Sequence, residues 1–417
     1  QMPNPALIGY WHNWNDINAP YIHLDSIDNR YNVIVIAFAV PTSPSDMTML
    51  FTPDVVSQSV FISKIQTLQS QGKKVLLSIG GATSSIDLTT TANKNAFRNS
   101  ITAIINTYGF DGIDIDIEHG NAVLISGGTI AAPGNISQVN LIDAIQQIMA
   151  DYRITHSQKL LLTMAPETAY VQGGLSGFGG IWGGYLPIID ALRDSLDVLQ
   201  VQLYNSGTMY GIDQKIYTQG TADFIIAMTE AVIQGFSTSG GTFSGLPASK
   251  VAIGLPACTS AAGGGFVDVD TVKSAIDYLM GNAAQPGTYT LFNSGGYPSL
   301  RGMMTWSINW DAVGSCGTVY EYANNYTRIF GSTTNISNFE EEIEVSVYPN
   351  PTNGQFTVSL STNNSVITIT DILGQQVFRT YTAQNQINLQ IDQNGVYIIG
   401  FTTNQGTTTR KLIVVDP

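Results

Sequence analysis

Eight short apolar runs, spaced about 40 residues apart, constrain the fold of the first three quarters of this 417-residue chain more than any other feature. Between them lie segments with helical spacing of apolar residues, such as 55–72, 94–109 and 268–280. Buried strands that alternate with helices indicate parallel βα units, and eight such units predict a (β/α)8 barrel. An open doubly wound sheet is the alternative, but no glycine-rich phosphate loop follows the first run. The runs are residues 7–14, 33–40, 75–81, 112–118, 160–167, 198–205, 251–257 and 302–310.

The character of the sequence changes near residue 331. Residues 332–342 are polar and mildly acidic, which is typical of a linker. Residues 343–417 consist of short alternating runs separated by turn signals such as PNPTNG, and this pattern predicts a small all-β, immunoglobulin-like sandwich. We therefore expect a barrel over residues 1–331, a linker over 332–342 and a sandwich over 343–417.

Charge and cysteine content narrow the possible partners. The net charge is −14, which argues against nucleic-acid and anionic-membrane partners and fits a neutral substrate. The chain has no apolar run of 18 residues, so we expect no membrane insertion. Two cysteines cannot form a metal site alone, and no cofactor is expected; Cys258 and Cys316 form a disulfide or remain two buried thiols. No signal peptide precedes the first run, so an exported protein would have lost it before this sequence begins.

The fourth run lies in FDGIDIDIEHG (110–120), where isoleucines alternate strictly with acids. One face of this buried strand therefore carries Asp114, Asp116 and Glu118 in a row. Carboxylates a few ångströms apart cannot all ionise cheaply, so at least one proton is expected to remain near neutral pH. Glu118 is the outermost acid, at the strand end where barrels place functional groups. A protonated Glu118 would be a general acid for a glycosidic oxygen.

The other predicted strand ends carry aromatic rings, amides and carboxylates, without lysine or arginine. Aromatic faces and uncharged hydrogen-bonding groups suit a neutral sugar, whereas a phosphate site would need cations. These strand ends are Tyr10, Trp11, His12, Asn13 and Trp14 in the first run, Met164, Pro166 and Glu167 in the fifth, Gln202, Tyr204 and Asn205 in the sixth, and Trp306, Asn309, Trp310 and Asp311 in the eighth.

Five motifs carry a resemblance to a known family. The sequence DGIDIDIE (111–118) resembles the DxxDxDxE signature of glycoside hydrolase family 18, the chitinases and their relatives. The motifs SIGG (78–81), MAPE (164–167), QLYN (202–205) and GMMTWSINWD (302–311) fall on the strands that the family requires. The resemblance covers about residues 5–330 and implies a substrate-assisted mechanism, an exception to the usual pair of catalytic carboxylates.

The resemblance implies a role for each matching residue. Glu118 protonates the leaving oxygen and later activates water, while the acetamido oxygen of the substrate attacks the anomeric carbon. Asp116 holds the acetamido N–H, Asp114 shares a proton with Asp116, and Tyr204 donates to the acetamido oxygen. Trp306 forms the floor of the subsite. Further predicted substrate-binding residues are Met164, Gln202, Asn205, Tyr10, Phe38, Trp11 and Trp182, with packing as the alternative for Trp11 and Trp182. Predicted supporting residues are Asp111, Ser78, Gly80 and Gly81.

These roles predict a chitinase that cleaves β-1,4-linked N-acetylglucosamine in chitin or chitooligosaccharides with retention. We also expect the protein to be secreted and monomeric. Only about 44 residues separate the seventh and eighth runs, too few for the small α+β insertion of some family members. We therefore expect an open groove and internal cleavage. The alternatives are an endo-β-N-acetylglucosaminidase acting on N-glycan cores and a non-catalytic chitin-binding lectin. Retention of Glu118 with both aspartates argues against the lectin.

The C-terminal region resembles a second family. The segments VYPNPTNGQF (347–356), ITDILGQQV (369–377), GVY (395–397) and TRKLIV (409–414) are similar to the C-terminal sorting domain of type IX secretion in Bacteroidetes. A carbohydrate-binding module is the alternative, but all five tryptophans lie in the barrel region. The resemblance implies secretion or cell-surface display, with the secretion machinery as a partner.

Overall fold

The computed structural model describes residues 1–314, 317–331, 345–360, 365–403 and 406–415. The chain divides into two compact units, residues 1–333 and 334–417, and the predicted linker lies outside the described residues. The strands of the first unit are β1 (Ala6–His12), β2 (Val33–Ser43), β3 (Asp46–Leu50), β4 (Lys74–Gly80), β5 (Gly112–Asp116), β6 (Leu161–Met164), β7 (Val198–Leu199), β8 (Thr208–Tyr210), β9 (Ile216–Thr218), β10 (Phe236–Thr238), β11 (Gly241–Phe243), β12 (Ala252–Pro256) and β13 (Gly302–Trp306).

The first unit is a (β/α)8 barrel, as the spacing of the apolar runs predicts. Its parallel strands are hydrogen-bonded in the order β12, β13, β1, β2, β4, β5, β6 and β7. A parallel bridge between Leu199 and Val251 brings β7 back to the start of β12 and closes the ring. The hairpins β8–β9 and β10–β11 are antiparallel additions outside the barrel sheet.

Helices follow the barrel strands and lie close to the segments that the sequence predicts to be helical. Helix α2 begins after Thr90, whose hydroxyl accepts a hydrogen bond from the Asn93 amide at 3.1 Å. It ends at Tyr108, and the next residue, Gly109, has φ +73° and lets the chain turn toward β5. The helices are α1 (Gln58–Ser70), α2 (Thr91–Tyr108), α3 (Ile136–His156), α4 (Leu186–Leu192), α5 (Ala222–Gln234), α6 (Val269–Leu279), α7 (Ile308–Asp311) and α8 (Glu321–Phe330).

Strand β5 separates its two kinds of side chain as the alternation predicts. Ile113, Ile115 and Ile117 are buried in the outer core, together with helix residues such as Phe97 and Ile101. Each such burial stabilises the fold by roughly 1.5–3 kcal/mol. The acids face the barrel interior, whose lower part is filled by a separate apolar cluster that includes Ile8, Val35, Leu76 and Met304.

The sixth predicted strand is much shorter than its apolar run. Regular pairing covers only Val198 and Leu199, and beyond them Gln202 makes isolated bridges to Glu167 and Gly254. The chain then turns at Asn205, which has φ +53°. Asparagine tolerates this left-handed conformation better than most residues. The end of the run therefore becomes a wall of the barrel mouth instead of a continued strand.

The second unit is all-β, in agreement with the sequence. One antiparallel sheet has the order β14, β15, β18, and another has the order β17, β16, β19, β20. Side chains from both sheets, including Phe356, Val358, Ile369 and Phe401, form one buried core. The strands are β14 (Val345–Tyr348), β15 (Gln355–Leu360), β16 (Ser365–Asp371), β17 (Gln376–Thr382), β18 (Gln386–Gln390), β19 (Gly395–Thr403) and β20 (Gly406–Val414).

Two further expectations concern membranes and cysteines. In the described part of the chain, no helix is both long and apolar enough to cross a bilayer. Cys258 is disulfide-bonded, which decides against a free thiol at this position. Cys316, the predicted partner and the only other cysteine of the sequence, lies outside the described residues.

Candidate active site

A cavity of about 520 Å³ opens at the C-terminal ends of the barrel strands. Parallel strands of a barrel all end at this face, so residues far apart in sequence meet there. Eight of the twelve residues predicted to be catalytic or substrate-binding line the cavity. The lining residues are Tyr10, Asn13, Trp14, Ala37, Phe38, Val40, Ala82, Thr83, Asp116, Glu118, Gln202, Tyr204, Asn205, Ala261 and Trp306.

Asp114 lies beneath this cavity and is completely buried. Its Oδ2 accepts hydrogen bonds from the hydroxyls of Tyr10 at 2.6 Å and Ser78 at 2.7 Å. Its Oδ1 accepts from the Thr163 hydroxyl at 2.6 Å and the Gln200 amide at 3.1 Å. Burial raises the pKa of Asp114, and the four donors oppose that rise by stabilising the carboxylate. Thr163 and Gln200 were not predicted from the sequence, although both lie in predicted strands.

Asp116 and Glu118 share one amide donor at the cavity wall. The Gln202 Nε2 lies 2.9 Å from Asp116 Oδ1 and 3.4 Å from Glu118 Oε1. Burial, followed by the negative charges of Glu118 and Asp114, holds the pKa of Asp116 well above its ordinary value. Burial and the charge of Glu167 also raise the pKa of Glu118. The acid row therefore retains protons to a higher pH than isolated carboxyl groups do.

Aromatic rings line the cavity together with the acids. The Trp306 and Phe38 rings are stacked, with their centroids 5.8 Å apart and an interplanar angle of 11°. His12 stacks on Trp14 at 4.7 Å and binds the Ser307 hydroxyl through Nε2 at 2.8 Å. Burial lowers the pKa of His12 to about 4, so its imidazole is neutral at neutral pH. The rings present a broad apolar face without a positive charge, which suits the face of a sugar ring.

The turn that carries Tyr204 and Asn205 is fixed from two sides. The Ser206 amide donates to the side-chain oxygen of Gln219 at 2.6 Å. Gly265, with φ +97°, approaches so closely that a Cβ there would lie 2.6 Å from the Cα of Tyr204. Burial raises the pKa of Tyr204 well above its usual value, so its hydroxyl keeps its proton and can donate a hydrogen bond. Gln219 is a positioning residue that the sequence motifs did not indicate.

Two predicted substrate contacts are wrong. In both cases the error concerns the side of the strand to which the side chain points. Trp11 is completely buried, and its indole N–H donates to the Ile22 carbonyl at 2.8 Å, so the packing alternative is correct. Met164 is also completely buried and pairs in register with Ile115, which faces the helices. The inward residue next to Met164 in β6 is therefore Thr163, which pairs in register with Asp114. Trp182 is 41% exposed but does not line the cavity, and its contact with substrate stays a prediction.

The predicted supporting residues lie around β5. Asp111 accepts hydrogen bonds from the Val75 amide at 2.9 Å and the Gln69 side chain at 3.0 Å, at the opposite end of the strand from the cavity. Gly80 and Gly81 have φ values of +117° and +80°. A Cβ on Gly80 would lie 2.4 Å from the Asp116 carbonyl oxygen, so only glycine allows β4 to end this close to the acid row.

No group of three or more His, Cys, Asp or Glu side chains in the described ranges is arranged to hold a metal ion.

Comparison with known proteins identifies the family of the first unit. Residues 6–341 match the model of the glycosyl hydrolases family 18. The chain belongs to glycosyl hydrolase family 18. A family 18 chitinase from Chromobacterium violaceum has a TM-score of 0.69 and 36% identity, covering 78% of this chain and 84% of that one. The resemblance derived from the five motifs is thereby confirmed.

Curated relatives of this family 18 chain are named as chitinases. Chitinase Chi52 of Paenibacillus xylanexedens is 46% identical over 310 residues, which cover 73% of this chain and 58% of the relative. Chitinase ChiA of Flavobacterium johnsoniae is 36% identical over 438 residues, covering 99% of this chain and 27% of the relative. The chain thus spans 58% or less of the length of these two curated relatives.

The second unit of this family 18 chain also matches a known domain. Residues 346–415 match the secretion system C-terminal sorting domain. This match confirms the assignment made from the short C-terminal motifs and disfavours a carbohydrate-binding module. A sorting domain marks its chain for export, so the protein is secreted or displayed at the cell surface.

Proposed function

We propose that this chain hydrolyses β-1,4 linkages between N-acetylglucosamine units of chitin or chitooligosaccharides. The observation that carries the proposal is the position of Glu118, half-buried beside Asp116 in a cavity that Trp306 also lines. An acid with a raised pKa next to an apolar ring can protonate a glycosidic oxygen while the sugar rests on the ring. The chitinases among the family 18 relatives support this choice of substrate.

The first chemical step breaks the bond between the anomeric carbon and the leaving oxygen. Glu118 gives its proton to that oxygen, while the acetamido oxygen of the same sugar bonds to the anomeric carbon from the other face. Water then adds to the anomeric carbon, Glu118 takes up its proton, and the bond to the acetamido oxygen breaks. Two inversions at one carbon give net retention.

Asp116 and Asp114 support the charged intermediate. Asp114 already accepts four hydrogen bonds, while burial and the charges of the neighbouring carboxylates hold the pKa of Asp116 well above its usual value. We therefore assign the shared proton mainly to Asp116 in the free enzyme. On substrate binding Asp116 would accept a hydrogen bond from the acetamido N–H and lose that proton to Asp114. Tyr204 would hold the acetamido oxygen, and Asn205 and Gln202 would contact the same sugar.

The open cavity favours internal cleavage of long chains. The residues between β12 and β13 (257–301) are all described and contain α6 and loops, without a strand. No additional layer therefore rises beside the cavity from this connection, and a polymer can lie across it. A product time course on a long soluble chitin derivative tests this. Disaccharide alone from the first minutes would contradict internal cleavage.

Endo-β-N-acetylglucosaminidase activity on N-glycan cores is the second candidate, because the same acids would serve it. Parallel assays on chitooligosaccharides and a high-mannose glycoprotein separate the two, with the Glu118→Gln variant as the control. Turnover of the glycoprotein alone would favour the second candidate. Binding without turnover of either substrate would favour a lectin. Undiminished turnover by Glu118→Gln would refute the assigned acid.

For the second unit, we propose that the secretion machinery recognises it and that the exported protein works as a monomer. Deletion of residues 343–417 should abolish export and leave the barrel active. Loss of binding to insoluble chitin after this deletion would instead indicate a carbohydrate-binding role.

A further inference from the structure

Glu167 is a half-buried carboxylate beside the acid row that the proposed mechanism does not use. It follows β6, and its backbone forms a parallel bridge with Gln202. The side chain of Gln202 in turn donates to both Asp116 and Glu118. Three residues after Glu167, the Tyr170 hydroxyl donates to the Glu118 carbonyl oxygen at 2.5 Å. The segment that carries Glu167 is therefore packed directly against the end of the acid strand.

The charges around Glu118 come from several elements. Asp114 and Asp116 lie on the same strand, and His119 follows Glu118 and is exposed. After burial, the negative charge of Glu167 is the strongest influence that raises the pKa of Glu118, whereas His119 lowers it. The charge of Glu167 also raises the pKa of Asp116, and the buried hydroxyls of Tyr170, Tyr185 and Tyr204 complete the surroundings.

No Lys or Arg occurs among the described residues that line the cavity. The negative charge of Glu167 therefore acts on Glu118 with little opposition from fixed positive charges. Because the site is partly buried, solvent screens this effect only weakly.

We propose that Glu167 is a positioning residue whose carboxylate, held beside Gln202 at the end of the acid strand, acts on Glu118 and so sets the alkaline limit of hydrolysis. This inference rests on the proposed function, in which Glu118 donates the proton. A general acid works only in its protonated form, so a neighbouring negative charge extends activity toward higher pH. A purely structural Glu167 would affect the rate or the stability without moving this limit.

The test measures kcat/KM on a soluble chitooligosaccharide as a function of pH for the wild type, Glu167→Gln, Glu167→Asp and His119→Gln. In Glu167→Gln the alkaline limb should move to lower pH, giving a several-fold loss above the wild-type midpoint, while the acidic plateau stays within about twofold. Glu167→Asp keeps the charge and should retain most of the wild-type profile. His119→Gln removes a group of the opposite sign and should not move the limb to lower pH.

An unmoved limb with a uniformly lower rate in Glu167→Gln would overturn the proposal and leave a structural role. A second measurement does not depend on turnover: the carboxyl ¹³C titration of glutamate-labelled wild type and Glu167→Gln, with the Glu118 signal assigned through Glu118→Gln. A lower titration midpoint of Glu118 in Glu167→Gln supports the proposal, and an equal midpoint refutes it. If the wild type turns over no chitooligosaccharide at any pH, the proposed function fails, while this titration still decides the role of Glu167.

Discussion

Two completely buried carboxylates of the barrel, Asp114 on β5 and Glu230 on α5, have similar hydrogen bonding and very different settings. Each accepts hydrogen bonds from four residues. The donors to Glu230 are the hydroxyls of Tyr289 at 2.7 Å and Tyr297 at 2.6 Å and the amides of Phe292 at 2.9 Å and Asn293 at 3.3 Å.

The difference lies in what the four donors connect. All donors to Glu230 belong to one loop between α6 and β13, so this carboxylate fastens a loop to the barrel. The donors to Asp114 come from β1, β4 and β6 and from Gln200, which directly follows β7. Above Asp114, Asp116 and Glu118 continue to an open cavity. A buried, satisfied acid is therefore a structural feature by default. It becomes chemically useful where further acids crowd it and the outermost reaches substrate.

Among the variants that test this comparison, Glu118→Gln is expected to have the largest effect on activity. Loss of the general acid should lower kcat on chitooligosaccharides by about 10²- to 10⁴-fold, the range typical for such groups. The fold should be retained, because glutamine preserves the volume of this half-buried side chain. Kinetic assays and thermal unfolding check both statements; a variant that unfolds at lower temperature in proportion to its lost activity would contradict the assignment.

At the other carboxylate, Glu230→Ala should lower the stability of the fold. Removing the acceptor leaves buried donors unsatisfied and should lower the free energy of unfolding by roughly 3 kcal/mol. Denaturant unfolding measures this loss. Assayed well below its melting temperature, the variant should keep kcat within about twofold of the wild type. A fall in kcat comparable to that of Glu118→Gln would break the distinction between the two sites.

A matched pair of hydroxyl deletions sharpens the comparison. Thr163→Val removes one donor from Asp114, and Tyr289→Phe removes one from Glu230. A hydrogen bond to a charged group contributes about 1.5–3 kcal/mol. We expect Thr163→Val to lower kcat/KM by about 10- to 100-fold, and Tyr289→Phe to lower stability alone. Equal kinetic profiles for the two variants would show that the donors to Asp114 are merely structural.

The smallest expected effect is on the pH dependence of stability. The pKa of Glu118 is raised in the folded protein, chiefly by burial, so the folded state binds its proton more tightly than the unfolded chain does. This contribution is fully present below the ordinary glutamate pKa of 4.5 and is lost as pH rises through the folded value. Between pH 4.5 and neutrality the wild type should therefore lose more stability than Glu118→Gln. Denaturant unfolding at several pH values checks this, and parallel curves for the two proteins would count against it.

Sequence reasoning succeeded where a short periodic pattern carries the information. The alternation of isoleucine with acid in β5 places the acids on one face, and the structure has them there. It failed for Trp11 and Met164, because a residue near a strand end faces inward or outward according to a register that the local sequence does not show. Thr163, the inward neighbour of Met164, was missed for the same reason.

By itself the sequence determined the barrel, the β-rich second unit, the family and the face of β5 that carries the acids. Each of these follows from local periodicity or from motifs of consecutive residues. Only the tertiary structure decided which groups surround Asp114, because its donors are 36 to 104 residues distant along the chain. Closure of the barrel and the register of its strands bring these donors within 3.1 Å. The environment that tunes the acids is therefore a product of non-local strand pairing, which no short segment encodes.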